Sequence, residues 1–285
     1  MNNDGKTKPY SDRMNDVVDY ISANLDQKLT VDQLSDIANF SRFHFHRQFS
    51  TFMGISIYKF IQGLRLKKAS YQLFYHRDIQ ITSIALEAGF ENLESFSRAF
   101  KKYFSQTPSE FRKDPQWKPL SEKLSAKNAG TKKMEKVQIV NFKETKIAIL
   151  KHRGPEKEKN NSIRRFIEWR KAHKFPPSQY ATYNLLYDNN DQETYRFDVA
   201  TEIDREIAEN GYGVINSVIP GGRCALLRDV GSWDNMAPSF KHLYGDWLPE
   251  SGETLRDFPC FIHRLNLYIE TPENELISDI YLPLE

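Results

Sequence analysis

Cysteine and long apolar runs are scarce in this sequence, and each absence narrows the class of protein. Only two of the 285 residues are cysteines, Cys224 and Cys260. Each lies in an apolar segment, so we expect two buried thiols and no disulfide framework. No apolar run approaches the ~20 residues that span a bilayer, and the N-terminal segment lacks the apolar core of a signal peptide. The sequence therefore predicts a cytoplasmic protein that makes no contact with a membrane.

Motifs that carry chemistry in enzymes and metalloproteins are also missing. His44 and His46 diverge on a helix because they are two residues apart, and no cysteine or acidic partner follows at ligand spacing. The sequence has no glycine-rich phosphate loop and no paired catalytic carboxylate motif. We therefore expect a protein without a bound metal, without a cofactor and without catalytic activity.

Charge is distributed unevenly along the chain, although the net charge is only +2. Residues 1–113 carry +4 and residues 114–134 carry +3, whereas residues 135–285 carry −5. The middle stretch is rich in proline, serine, asparagine and lysine, which is typical of a solvated linker. These shifts predict a nucleic-acid-binding domain, a linker and a second domain with those bounds. Charged side chains scattered over ordinary solvated surfaces would give the same totals. The charges alone therefore do not establish a nucleic-acid-binding domain, and the helix patterns are needed to decide.

One pattern occurs twice in the front half of the chain, in Thr30–Phe60 and again in Gln80–Phe111. The offset between the copies is 50 residues up to a turn and 51 after it, so Arg47 and Arg98 occupy the same position. Each copy has the pattern of a helix-turn-helix. The repeat predicts two recognition helices in one chain, and therefore a protein that reads two DNA segments without dimerising.

Helix-start and helix-end signals divide this half into short helices. Thr30 and Gln33 have the spacing of a capping box, Ser41 is placed as an N-cap, and Pro108 opens a short closing helix. Gly89 stands where a left-handed residue ends a helix. The predicted helices are Val31–Ala38, Arg42–Phe52, Ile57–Tyr75, Ile81–Ala88 and Leu93–Phe104.

The two candidate recognition helices each have a buried and an outward side. Phe45, Phe49 and Phe52 in the first, and Phe96 and Phe100 in the second, recur at helical spacing and are predicted to face the core. The remaining side chains include partners for guanine, adenine and cytosine. For any one of them, a solvated helix face is the alternative interpretation. The candidate DNA contacts are Arg42, Phe43, His46, Arg47, Asn92, Leu93, Glu94, Ser95, Ser97 and Arg98.

Residues 11–113 resemble the DNA-binding domain of AraC/XylS transcription regulators. The segments that carry the resemblance are IANFSRFHFHRQF, GLRLKKASYQL, IALEAGFENLESFSRAFKKYF and TPSEFR. It implies two helix-turn-helix motifs joined by the helix Ile57–Tyr75, with recognition helices in two adjacent major grooves of double-stranded DNA. RNA polymerase is a further candidate partner, through a second domain that binds another protein. Leu93 and Glu94 are unusual, because those positions are often polar and neutral in the family.

The second half of the chain has the sequence pattern of a β-sheet domain. Short runs such as KIAILKH, RFDVATEI, RCALLRDV and DIYLPL predict strands, and Ile163–His173 and Ala237–Leu248 predict helices. Lys146–Pro155 aligns with Arg223–Ser232 at an offset of 77 residues. The alignment predicts a duplicated unit with a groove between its halves, which is a natural ligand site.

Residues 135–285 resemble the GyrI-like effector-binding domain, through VGSWDNMAPSFKHLYGDWLPESG, RFDVATEI and ENELISDIYLPL. The resemblance implies two pseudo-symmetric βαββ-like repeats around a cleft lined by aromatic residues. The predicted fold is therefore an all-α N-terminal domain with tandem helix-turn-helix motifs, followed by an α+β C-terminal domain. The candidate lining residues, each of which could instead fill the core, are Trp169, Tyr183, Phe197, Trp233, Tyr244, Trp247 and Tyr281.

The sequence departs from this family at one informative place. Family members often carry the pattern P-x-F-E-x-Y-L-N, whose glutamate receives cationic compounds. Here the segment is PCFIHRLN, so Ile262 replaces the glutamate and Arg264 replaces the tyrosine. We predict a DNA-binding transcription regulator whose second domain senses a neutral or anionic small molecule, with His263 or Arg264 available to it. Two alternatives stay open, a protein-interaction domain that has lost ligand binding and a small-molecule hydrolase.

Overall fold

The computed structural model describes residues 8–116, 135–187, 195–268 and 271–285. The described residues separate into two compact units. We call them the helical unit, within residues 8–116, and the sheet unit, which begins at residue 135. Within the described ranges, no helix has both the length and the apolar character that crossing a bilayer requires.

Helices α2 (Val31–Ile37) and α3 (Arg42–Met53) form the first helix-turn-helix motif. Helices α5 (Ile81–Glu87) and α6 (Leu93–Phe104) form the second, and α4 (Ile57–Tyr75) joins the two motifs. The predicted helices are confirmed, and each of their ends lies within one residue of the predicted position. In the described part of the helical unit the helices are α1 (Tyr10–Ala23), α2 (Val31–Ile37), α3 (Arg42–Met53), α4 (Ile57–Tyr75), α5 (Ile81–Glu87), α6 (Leu93–Phe104) and α7 (Pro108–Lys113).

Local capping explains most of these boundaries. The Thr30 side chain accepts a hydrogen bond from the Gln33 N–H, and the Gln33 side chain accepts one from the Thr30 N–H, so the predicted capping box is present. Ser41 stands at the N-cap of α3, but its side chain makes no capping hydrogen bond, and that part of the prediction is wrong. Gly54 and Gly89 have φ angles of +74° and +78°, the left-handed conformation that ends a helix.

Each motif of the helical unit has its own apolar core. Phe45 and Phe49 of α3 are fully buried in the first core, which takes the α4 side chains up to Leu64. Phe96 of α6 is fully buried in the second core, which takes the α4 side chains from Leu66 onward. The predicted aromatic stripes are thus confirmed. The two clusters share no residue, so α4 alone among the described helices contributes to both.

The sheet unit alternates strands with two helical segments. Helix α8 (Lys159–Ala172) follows β2 (Thr145–Gly154) and begins four residues before its predicted start. The second segment follows β6 and consists of α9 (Ala237–Phe240), a π-helical stretch (Lys241–Trp247) and α10 (Leu248–Ser251). The strands of the described residues are β1 (Gln138–Phe142), β2 (Thr145–Gly154), β3 (Thr182–Leu186), β4 (Tyr195–Glu202), β5 (Ile215–Ile219), β6 (Gly222–Val230), β7 (Cys260–Arg264) and β8 (Ile277–Pro283).

All eight described strands pair antiparallel in one sheet of order β1-β6-β8-β7-β3-β4-β2-β5. If the labels β1–β4 and β5–β8 are exchanged, the strand order read from the other edge of the sheet is unchanged. The sheet therefore has a pseudo-twofold axis. The axis passes between β3 and β7, where Asn184 lies opposite Ile262. The predicted βαββ repeats are present, and the structure adds one strand to the start of each. That strand pairs with the other repeat: β1 with β6, and β5 with β2.

The two faces of the sheet are closed in different ways. On the helix-covered face, α8 packs on the first repeat through Phe166, and the second helical segment packs on the second repeat through Leu243. The opposite face is closed by the strands themselves. The ring of Phe142 on β1 lies 6.4 Å from that of Tyr183 on β3, although these strands are four places apart in the sheet. The sheet therefore curls over its own opposite face.

The two cysteines lie in separate cores of this unit. Cys224 belongs to the core of the opposite face and Cys260 to the core beneath the second helical segment. Both are buried and free, which confirms the prediction of two isolated thiols. Burial also raises the pKa of the Cys224 thiol, so this group is held in its neutral form.

Candidate nucleic-acid interface and ligand groove

The first recognition helix, α3, exposes cationic side chains near its N-terminal end. Arg42, His46 and Arg47 are all exposed, and Arg42 Nη1 lies 4.0 Å from Asp32 Oδ1 of α2. Arg47 is about half a turn away from the buried phenylalanine stripe, because successive helical residues are about 100° apart. The side chain of Phe43, the fourth predicted contact on α3, lies outside what the structure describes.

Two of the predicted contacts on the second recognition helix, α6, are engaged in starting that helix. Asn92 Oδ1 accepts a hydrogen bond of 2.8 Å from the Ser95 N–H, and Ser95 Oγ donates one of 2.9 Å to the Asn92 carbonyl. Leu93 is exposed in the first turn, whereas Ser97 is half-buried. The N-cap therefore positions the end of the helix that meets base edges.

Glu94 and Arg98 form an ion pair one turn apart on α6. Arg98 Nη1 lies 2.5 Å from Glu94 Oε1, and the two side chains are 71% and 78% exposed. Arg98 occupies the position that Arg47 has in α3, but the position equivalent to Glu94 in α3 is Phe43, which carries no charge. Arg98 of the second recognition helix is therefore held against a carboxylate one turn away, whereas the equivalent Arg47 of the first has an uncharged residue at that position.

The structure also exposes residues that the sequence interpretation did not name. Thr51 on α3 and Lys101 and Lys102 on α6 are exposed, about one turn beyond Arg47 and Arg98. Residues four positions apart share a helix face, and this spacing was the available signal. The two lysines extend the basic surface of α6 toward positions where a helix in a major groove meets phosphates.

In the sheet unit, the central strands β3 and β7 lie between the core beneath α8 and the core beneath the second helical segment, and we call the helix-side surface of these two strands the central groove. Arg264 defines one end of it. Its Nε donates a hydrogen bond of 3.0 Å to Asn184 Oδ1, and its Nη1 donates one of 3.0 Å to Ser278 Oγ. The guanidinium carbon lies 4.4 Å from the centre of the Trp233 ring. This end therefore combines a fixed cation with an aromatic face.

The other end of the central groove combines a lysine with aromatic rings. Leu186 packs against the apolar clusters beneath both helical segments, which places it between them. Leu186 lies opposite Phe197 in the strand register. Lys159 Nζ lies 5.0 Å from the ring centre of Tyr195 and 5.7 Å from that of Phe197. Each end of the groove thus carries one positive charge beside aromatic carbon, and at this end Lys159 Nζ also lies 3.5 Å from Glu156 Oε1.

The central groove has no carboxylate at the position of the family glutamate. Ile262 fills the position of the family glutamate and is 2% exposed on the floor of the groove. One buried acid, Asp229, lies opposite Ser278 in the register near the Arg264 end, and its carboxylate accepts a hydrogen bond from Ser239 Oγ. The acid of this part of the groove is therefore hydrogen-bonded within the fold.

Three of the predicted ligand residues lie on the opposite face of the sheet. The rings of Tyr183 and His263 are 4.8 Å apart, and Tyr281 stacks on Phe261 at 4.9 Å. Burial lowers the pKa of His263 and raises the pKa of Tyr183, so both rings are held neutral. Neighbouring residues of a strand point to opposite faces, so His263 and Arg264 do not share one site.

The remaining predicted ligand residues lie neither in the central groove nor among the aromatic residues on the opposite face of the sheet. Trp169 is fully buried in the core beneath α8, Trp247 packs against the core beneath the second helical segment, and Tyr244 is exposed on the π-helical stretch. The structure brings only Phe197, Trp233 and Arg264 of the predicted set to the central groove. Period-two alternation reports which residues share a face but not which face a ligand can reach. Lys159 was missed for another reason: it begins α8, and no local pattern places that helix end beside Tyr195 and Phe197 of β4.

Two helix-turn-helix motifs on one unit and a duplicated sheet with a groove on the other define a DNA-binding protein with an attached binding domain. Residues 34–114 match the model of a helix-turn-helix domain, and residues 135–285, more than half of the chain, match that of the GyrI-like small molecule binding domain. The chain belongs to the GyrI-like family and is a DNA-binding transcription regulator with an AraC-type helix-turn-helix region.

Known relatives are themselves described as regulators. The chain is 35% identical over 152 residues to the probable transcriptional regulator YgiV of Escherichia coli (strain K12), which covers 52% of this chain and 95% of that protein. It is 35% identical over 103 residues to an uncharacterized HTH-type transcriptional regulator of Staphylococcus aureus (strain COL), covering 36% of this chain and 14% of that protein. Both of these relatives are named as transcriptional regulators.

Solved structures resemble the fold at lower identity. The crystal structure of the EcmrR C-terminal domain is 14% identical with a TM-score of 0.44, covering 53% of this chain and 97% of that one. The cryo-EM structure of an EcmrR–DNA complex is 14% identical with a TM-score of 0.44, covering 91% and 85%.

Proposed function

We propose that this regulator reads a two-part DNA site with both helix-turn-helix motifs, and that its central groove takes a neutral or anionic small-molecule effector. The observation that carries the first part is the equivalent, exposed placement of Arg47 and Arg98 on two recognition helices of one unit. Such helices enter adjacent major grooves of a duplex, where arginine pairs bidentately with guanine. Loss of a good pair of this kind costs ~1–3 kcal/mol.

Selection of bound duplexes from a random pool by the full chain tests the DNA proposal. We expect two conserved elements about one helical turn apart. Arg47→Ala should relax the sequence preference in one element and Arg98→Ala in the other. Lys28→Ala, which removes an exposed charge outside the recognition helices, is the matched control and should change neither. A single conserved element would contradict the proposal.

The effector part of the proposal is supported by Arg264. Its charge sits over Trp233 in the central groove, and Lys159 adds a second charge near the other end. Cations repel a cationic ligand and attract an anionic one, most strongly where water is partly excluded. Leu186 and Phe197 offer apolar area between the two charges. The groove therefore suits a compound with an apolar body and an anionic group.

Titration with matched anionic, neutral and cationic aromatic compounds tests this assignment, with isothermal titration calorimetry as the measurement. Arg264→Ala should weaken binding of the anionic compounds about tenfold and leave the neutral ones nearly unchanged. Arg205→Ala, an exposed arginine of the same unit, is the control. Unchanged binding of the anionic compounds would remove Arg264 from the proposed role.

A protein partner is the alternative occupant of the sheet unit, and RNA polymerase is a predicted partner of the whole regulator. Transcription in vitro from a promoter that carries the selected DNA site measures the effect on polymerase. Binding of none of the compounds, together with capture of a defined protein by the sheet unit, would favour the alternative.

A further inference from the structure

We propose that Arg65 is a positioning residue that sets the distance and angle between the two recognition helices, and so determines which spacing of a two-part DNA site is bound. This inference rests on the two-part reading proposed above. It starts from α4, the only described helix that contributes to both cores of the helical unit. Arg65 stands at the boundary, between Leu64 of the first core and Leu66 of the second.

The Arg65 guanidinium touches both motifs. Its Nε donates a hydrogen bond of 2.8 Å to the Leu25 carbonyl, and its Nη2 donates one of 2.8 Å to the Gln27 carbonyl. Leu25 packs against the first core, so this loop between α1 and α2 is anchored to the core of the first motif. The third nitrogen, Nη1, lies against Gly89 in the turn between α5 and α6, within the second motif.

Gly89 makes this close approach feasible. A Cβ at residue 89 would lie 2.7 Å from Arg65 Nη1, and the φ of +78° also disfavours any side chain there. The flanking residues Ala88 and Phe90 pack in the second core. A movement of the guanidinium is therefore passed to the turn that leads into the second recognition helix.

Apolar packing does not fix this junction by itself. The two apolar clusters share no residue, and a crevice between the end of α1 and α5 is lined largely by polar side chains, among them Arg65, Lys68 and Glu87. A planar guanidinium with its donors in a rigid fork constrains an angle better than a flexible contact does. A second polar tie, from Tyr103 Oη to the Lys59 carbonyl at 3.1 Å, keeps α6 attached when Arg65 is changed.

Binding of the full chain to duplexes of different spacing tests the inference. The probes are the two-part duplex selected from the random pool, its versions with one base pair added or removed between the parts, and versions with one part scrambled. One base pair shifts the second part by roughly 3.4 Å and rotates it by roughly 34°. The wild-type chain should lose about tenfold or more in affinity when the spacing changes.

Arg65→Gln should bind the three spacings within about threefold of one another, with about tenfold lower affinity for the selected spacing. Its affinity for the scrambled, one-part duplexes should equal that of the wild type, which a general loss of folding would not allow. Arg65→Lys keeps the charge without the fork and should be intermediate. Lys68→Gln removes a charge from the same crevice and should keep the wild-type spacing preference.

Two results would overturn the inference: an Arg65→Gln variant that keeps the wild-type spacing preference, or one that loses affinity equally for one-part and two-part duplexes. Wild-type affinity that is the same for one-part and two-part duplexes would refute the two-part reading itself, and the inference with it. That outcome is seen in the wild-type chain before any variant is measured, so the two failures are distinguishable.

Discussion

At the scale of single residues, aromatic rings hold the cores of the helical unit together. In the second core the ring of Phe100 lies 5.5 Å from that of Phe96, 4.4 Å from that of Phe104 and 5.3 Å from that of Phe111. All four rings are almost fully buried. A central ring in such a cluster contributes through burial and through close packing with its neighbours.

Phe100→Ala should therefore lower the free energy of unfolding of the helical unit by about 3–5 kcal/mol, because it removes a buried ring and leaves a cavity. Urea denaturation followed by circular dichroism measures the change. Leu86→Ala alters a side chain that is 62% exposed and should cost about 0.5 kcal/mol or less. A loss below about 1.5 kcal/mol for Phe100→Ala would show that the cluster is not the centre of the core.

On the second recognition helix we expect a substitution that strengthens DNA binding. Glu94→Gln removes a negative charge from the exposed side of the recognition helix and releases Arg98 from its ion pair. The released pair corresponds to about 0.3–0.5 kcal/mol, so DNA affinity should rise about twofold or more. Fluorescence anisotropy at several salt concentrations measures it. Glu91→Gln changes an exposed glutamate just before α6 and serves as control; weaker binding of Glu94→Gln would mean that Glu94 itself contacts a base.

At the scale of elements, α7 closes the helical unit through a capping box that depends on pH. The Glu110 carboxylate accepts a hydrogen bond of 2.7 Å from the Thr107 N–H, and that bond holds the pKa of Glu110 below its ordinary value of 4.5. Because the folded pKa is the lower one, the contribution to stability is present above the unfolded pKa. It is lost as the pH falls through the folded value.

Glu110→Gln should consequently remove a stabilisation that the wild type shows only at higher pH. The melting temperature of the wild type should exceed that of the variant at neutral pH, and the two should converge as the pH falls through the folded pKa of Glu110. Thermal unfolding across this range measures the difference. A difference that stays constant with pH would contradict the ionised cap.

At the scale of the whole molecule, the sheet unit has apolar cores of its own. Its three apolar clusters consist only of residues from Val137 onward, and its sheet closes by exchange of the first strand between repeats. The domain bounds predicted from composition, 1–113, 114–134 and 135–285, can therefore be tested directly.

A fragment of residues 135–285 should unfold in one cooperative transition and give a dispersed NMR spectrum, because all three cores remain intact. Circular dichroism and proton–nitrogen correlation spectra are the measurements. A fragment without a cooperative transition would show that the sheet unit depends on residues before 135, and would refute the predicted boundary.

Local patterns of the sequence predicted the helical unit almost completely. A helix is held by contacts three or four residues apart, so aromatic spacing, Pro108 and the Thr30 cap located the ends of α2 to α6 and the start of α7 to within one residue; the ends of α1 were not predicted. Ser41 shows the limit of such rules, since it stands at the N-cap but forms no capping hydrogen bond. The two duplications were likewise visible from the offsets alone.

Only the tertiary structure decided what the duplicated elements do together. The exchanged strands β1 and β5, the opposite-face positions of Tyr183 and His263, and the contact of Arg65 with Gly89 join residues far apart in sequence. A strand pattern of period two is the same for either face, so it could not assign the central groove. By itself the sequence determined the kinds and order of the elements, because these depend on neighbours along the chain. The groove and the angle between the motifs depend on long-range packing, which the structure alone supplies.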